Sequence, residues 1–76
     1  MDLLWKSPNN LIAKIDGREL SIAGAALIEG DIHFMILPRY MTHWRDGAPL
    51  AADERDSIVR DVVEEANERG WNFVIG

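Results

Sequence analysis

His33 and His43 are the only imidazoles in a chain of 76 residues without cysteine, so acid–base or metal chemistry would have to be built around them. A metal site needs at least one further nitrogen or carboxylate ligand, for which Asp31 or Asp46 are the candidates. The separation of the two histidines matches no ligand spacing. His33 also sits in an apolar stretch, where a hydrogen-bonded structural histidine is the commoner outcome. Ser7, Ser21, Ser57 and Thr42 are the hydroxyl candidates for a nucleophile, and no serine stands next to a histidine. Triads assemble in three dimensions, so spacing alone excludes none. A chain this short nevertheless has little volume for a pocket that shuts out water. Gly17, Gly24 and Gly30 are scattered and form no phosphate-cradling loop. The expectation is a protein with no catalytic site, no cofactor and no metal.

Two other groups of residues stand out. Thirteen Asp and Glu face eight Lys and Arg, a formal charge of −5. That sign is wrong for nucleic acid, which needs cations to displace its counterions. It suits a basic protein partner and equally an ordinary soluble surface. Asp53, Glu54, Asp61, Glu64, Glu65 and Glu68 fall in one segment, where Arg60 is spaced to pair with Asp56 and Glu64, and Glu65 with Arg69. These carboxylates are either a solvated face or an anionic surface that speeds encounter with a cationic partner. Between Arg39 and Asp46, Tyr40, His43 and Trp44 lie between two arginines, Arg39 and Arg45. Tyr, Trp and Arg carry a large share of interface energy; the competing reading is that Trp44 seals one end of the core. The expected partner-binding set is Arg39, Tyr40, His43, Trp44, Asp46, Asp61, Glu64 and Glu68.

Positioning these residues falls to a few elements. Asp16-Gly17 supplies the two positive-φ positions of a type I′ turn, which pairs Ile15 with Arg18 and, outward from there, Leu11 with Ile22. Leu11, Ala13, Leu20 and Ile22 then share one face, and Lys14 meets Glu19 on the other. Leu3 to Lys6 is a strand candidate closed by Ser7-Pro8-Asn9-Asn10, and residues 25–29 a loop or short edge segment. Residues 32–37 read as a covered strand ended by Pro38. A short helical turn follows, then an irregular connection through Gly47 and Pro49. From Asp53 to Arg69 the apolar stripe Ile58, Val59, Val62, Val63 and Ala66 predicts a helix, stopped by a left-handed Gly70. Trp71 to Ile75 reads as a last strand. The fold class expected is α+β: one antiparallel sheet of four to five strands, with the helix packed on one face.

A single domain over residues 1–76 follows from size. The mass is 8.6 kDa, for which surface scaling gives roughly 4,700 Å² folded against roughly 12,500 Å² unfolded, room for one core. The absence of cysteine fits a reducing compartment. No apolar run long enough for a membrane span is present, nor a basic stretch leading into a greasy one. The expected location is the cytoplasm.

The order of these features is an Asp16-Gly17 hairpin, an apolar strand, an aromatic segment ending in Trp44, a loop with Pro49, an acidic helix opening Asp53-Glu54-Arg55, and Gly70 before a final strand. In that order the chain resembles small immunity proteins of bacterial polymorphic-toxin and contact-dependent growth-inhibition systems, over residues 9 to 76. It departs from them at Ala51-Ala52, where a Ser or Thr N-cap is expected. The resemblance implies a cytoplasmic antidote, not an enzyme, that binds a cognate toxin domain and covers its active site or substrate surface. The partner implied is a basic, nuclease-like protein, with the antidote a monomer or weak dimer when free. The rival function is a structural or regulatory protein that self-associates through an exposed strand edge, Leu3 to Lys6 or Phe73 to Ile75.

Overall fold

Local chemistry sets the first half of the fold. In the computed structural model, which describes residues 1–27, 30 and 32–76, Asp16 and Gly17 take φ of 51° and 78°. They turn β2 (Asn10–Ile15) into β3 (Arg18–Ile22). The register runs from Ile15 opposite Arg18 to Leu11 opposite Ile22, as the alternation requires. β1 (Asp2–Ser7) pairs antiparallel with β2, placing Leu3 opposite Ala13 and Trp5 opposite Leu11.

The single antiparallel sheet does not form. The strands divide into two three-stranded sheets, β1-β2-β3 and a second made of β4 (Gly24–Ala26), β5 (Phe34–Ile36) and β6 (Phe73–Ile75) in that order. β4 follows β3 after Ala23 alone, so the chain leaves the first sheet there and begins the second. β5 then pairs antiparallel with β4. Gly24 makes this passage possible. A Cβ at that position would lie 2.5 and 2.6 Å from the Phe34 ring and would meet the Met35 carbonyl oxygen. β6 runs parallel to β5, Phe34 opposite Phe73, where an antiparallel strand was expected. A parallel neighbour needs a crossover connection, and the helix supplies it.

That connection starts at Pro38, which opens a 3-10 turn (Pro38–Tyr40). The helix α1 spans Ala52–Glu68 and buries Ile58, Val59, Val62 and Ala66, with Val63 half-buried against the core. Its exit is closed by Gly70 at φ 80°. The Gly70 amide donates to Asn67 O at 3.1 Å and the Trp71 amide to Ala66 O at 2.9 Å, the two bonds of a Schellman cap. Its entry has no side-chain cap: Ala51 takes the extended N-cap conformation (φ −68°, ψ 148°) but offers no acceptor. Ala51→Ser is therefore expected to stabilise the fold by about 1 kcal/mol. A thermal melt that fails to rise would show that the first-turn amides are already satisfied.

One core joins both sheets, the helix and the 41–50 segment. Leu3, Leu11, Ala13, Leu20 and Ile22 come from the first sheet, Phe34, Ile36 and Phe73 from the second, and Met41, Trp44 and Leu50 from the connection. Trp5 bridges the sheets: its ring meets Phe34 edge-on at 5.4 Å, Trp71 at 5.9 Å and Phe73 at 6.0 Å. Three sheet edges also carry attachments. The Arg45 amide donates to Glu19 O on β3, the Ala26 amide of β4 donates to the Asn9 side chain, and Arg69 reaches Leu3 O on β1. No described helix is long and apolar enough to cross a membrane.

Candidate functional site

The aromatic segment splits between surface and core. Tyr40 is 62% exposed, with the Arg39 guanidinium 4.8 Å above its ring. His43 is exposed, its Nδ1 3.0 Å from Thr42 Oγ1. Trp44 is only 5% exposed and belongs to the core, so the reading of it as an exposed anchor is corrected. A tight turn explains its inward position. The Trp44 amide donates to Ala48 O at 2.8 Å and the Gly47 amide to Trp44 O at 2.9 Å, while Arg45 is tied to β3. Asp46 closes that turn by accepting the Ala48 amide at 2.9 Å.

Trp44 also forms the floor of a cleft of about 270 Å³ between the β2–β3 hairpin and the first turns of α1. Its walls are Ile15, Asp16, Arg18, Glu54, Ser57 and Ile58. Arg18 lies with its guanidinium 4.0 Å above the Trp44 ring and 3.4 Å from Asp46 Oδ2. A planar cation held between an aromatic face and a carboxylate is ordered at its rim. Arg18, Asp16 and Glu54 were not in the expected binding set. The pairing of Arg18 beside the turn was legible, but its meeting with Trp44 depends on the fold.

Asp61, Glu64 and Glu68 are exposed on α1, as expected. At about 100° per residue, Glu54, Asp61, Glu64 and Glu68 occupy an arc of about 80°. None of the four makes an ion pair among the described residues. Of the expected helix pairs, Glu65–Arg69 forms at 3.1 Å, whereas Asp56 is taken by Arg55 rather than Arg60. The span Ala52–Glu68 holds seven Asp or Glu and two Arg, so its formal charge of −5 equals that of the whole chain. The remainder of the molecule is formally neutral. Glu54 links this anionic flank to the cleft. The Pro38–Tyr40 turn packs against α1, but among the described residues no hydrogen bond or ion pair joins Arg39, Tyr40 or His43 to the acidic flank.

The histidines remain apart from this surface. His33 precedes β5, which is shorter than residues 32–37, and is clamped to the chain before β6. Its Nδ1 accepts the Asn72 amide at 2.9 Å, and its own amide donates to Asn72 O at 2.8 Å. That is the hydrogen-bonded structural role expected of it. Asp31 lies outside the described residues, as do positions 28 and 29 of the expected 25–29 segment. Asp46 is engaged by Arg18 and Ala48. No cluster of three metal-ligating side chains occurs among the described residues. Comparison of the chain with models of known families, with curated proteins and with solved structures returned no match.

Proposed function

We propose that this protein is an immunity protein, an antitoxin of the polymorphic-toxin type, that neutralises a cognate nuclease-like toxin domain by covering its cationic active site or substrate surface in the cytoplasm. It converts no substrate. The observation that carries the reading is the gathering of a charge equal to the chain's whole net charge on α1, with Glu54, Asp61, Glu64 and Glu68 exposed on one flank and in no ion pair among the described residues. A surface of one sign raises the rate of encounter with the opposite sign and disfavours wrong partners. In the cleft at the head of that flank Arg18 already covers the Trp44 floor, so what it offers a Lys or Arg side chain of the partner is the pair of wall carboxylates, Asp16 and Glu54. Arg39, Tyr40 and His43 are exposed amphipathic side chains outside that flank and offer a separate contact patch.

The test is whether a toxic domain encoded beside this protein co-purifies with it and loses activity in the complex. Within such a pair, Asp61→Lys with Glu64→Lys is expected to lower the association rate about tenfold at low salt, and much less at high salt. An association rate that does not change would remove the steering role. The competing function, self-association through a strand edge, draws on β1 and β6 lying at sheet edges with Leu4 and Ile75 exposed.

A further inference from the structure

We propose that Asp16 is a site of spontaneous covalent modification, where the backbone converts to an isoaspartyl link, and that the fold steers this reaction to Asp16 and away from Asp46. Asp-Gly occurs twice in the chain, at Asp16-Gly17 and Asp46-Gly47. Glycine has no side chain to shield its amide nitrogen, so either pair is chemically able to close on itself. The amide nitrogen attacks the carboxyl carbon of the preceding aspartate. A C–N bond forms, the carboxyl OH and the amide proton leave as water, and a succinimide ring results. Water then opens the ring. Opening at the main-chain carbonyl leaves the chain running through the aspartyl side chain, with the old main-chain carboxyl as a free acid. One water is lost and one regained, so the reaction needs no other reactant and leaves the mass unchanged.

Exposure does not separate the two pairs, since both aspartates lie at the surface. Their partners do. Asp46 is fixed: Oδ1 accepts the Ala48 amide at 2.9 Å and Oδ2 faces the Arg18 guanidinium at 3.4 Å. The Gly47 amide, the nucleophile of that pair, donates to Trp44 O at 2.9 Å. These contacts hold the nitrogen and the carboxyl apart. Among the described residues the Asp16 side chain has no hydrogen bond or ion pair, and the Gly17 amide has no hydrogen-bond acceptor. Asp16 also holds φ at 51°, a left-handed conformation that a residue with a Cβ adopts at a cost. Leaving the turn relieves that strain, which Asp46 does not carry. The product disturbs the fold. It inserts one methylene into a loop of two residues, for which a type I′ turn has no room. The Ile15–Arg18 pair that closes the hairpin is displaced, and Arg18 is the residue laid on Trp44 in the cleft. None of this depends on what the protein binds.

Prolonged warm incubation of the full chain at mildly acidic pH, folded and in parallel in urea, tests the proposal. Peptide mapping with electron-transfer fragmentation tells aspartate from isoaspartate at each position. In urea the two pairs are expected to convert at similar rates. In the folded chain Asp16 is expected to convert at least tenfold faster than Asp46, a ratio equivalent to about 1.4 kcal/mol and within the worth of the bonds that hold Asp46 and Gly47. Equal rates in the folded chain, or faster conversion at Asp46, overturn the proposal. So does a folded chain that stays unconverted at Asp16 while the denatured chain reacts, because the turn then protects its own aspartate. Gly17→Ala, whose methyl hinders the attacking nitrogen, is expected to slow conversion at Asp16 and leave Asp46 unchanged; an unaltered rate at Asp16 rules out the ring closure. The isoaspartyl form, separated by chromatography, is expected to melt below the parent. An equal melting temperature overturns the claim that the turn cannot absorb the longer link.

Discussion

Trp44→Ala is expected to lower stability by about 3–5 kcal/mol, the range for emptying a large aromatic site in a packed core. A chain of this length has about 4–11 kcal/mol in total, so the variant keeps at most about 8 kcal/mol and is unfolded where the parent lies at the low end of that range. The loss has identifiable parts. The ring is buried with Met41 and Leu50, and it is the floor on which Arg18 lies at 4.0 Å. Removing it opens a cavity at the junction of hairpin, helix and connecting turn, and frees Arg18 from one of its two partners. Urea melts of Trp44→Ala and Trp44→Phe check this, since Phe retains most of the apolar volume and should retain most of the stability. An alanine variant that melts like the parent would return the ring to the surface and restore its reading as a binding anchor.

Gly24→Ala is expected to cost about 3 kcal/mol, from overpacking rather than from backbone strain, because Gly24 does not take a positive φ. The added methyl would collide with the Phe34 ring and with the Met35 carbonyl, and a backbone oxygen cannot swing aside as a side chain would. Gly17→Ala is the control. It sits at φ 78° with nothing within 4 Å of the added Cβ, so it should cost only about 1 kcal/mol through conformational strain. Chemical denaturation of the two variants separates the mechanisms. Equal losses would mean that Phe34 and β5 retreat at little expense.

The parts of the fold legible in the sequence are those set by neighbours along the chain. Asp16-Gly17 with its alternating flanks specified the hairpin register residue by residue, and the apolar stripe with Gly70 located α1 to within a residue at its ends. The parts that were not legible depend on residues far apart. Nothing local distinguishes Ala23-Gly24 as the point where one sheet ends and another begins; the Phe34 ring against Gly24 decides it. The direction of β6 depends on which end of β5 the helix returns the chain to. At the candidate site, Asp61, Glu64 and Glu68 were readable because helix geometry exposes them. Trp44 was not, since a segment without periodicity carries no sign of which residues turn inward. Arg18 joined the site only because the 41–50 turn brings Trp44 and Asp46 to it.

The attachments along three strand margins bear on how this small protein survives crowding. An open row of amides and carbonyls is a template on which further chains can stack into fibres. Here a turn amide, an asparagine and an arginine already occupy positions on those rows, at Glu19, Ala26 and Leu3. Such groups add little to the melting temperature but shorten the list of places where a misdirected neighbour can take hold. Edge-to-edge stacking is thereby narrowed to the β6 margin, which carries no such attachment among the described residues.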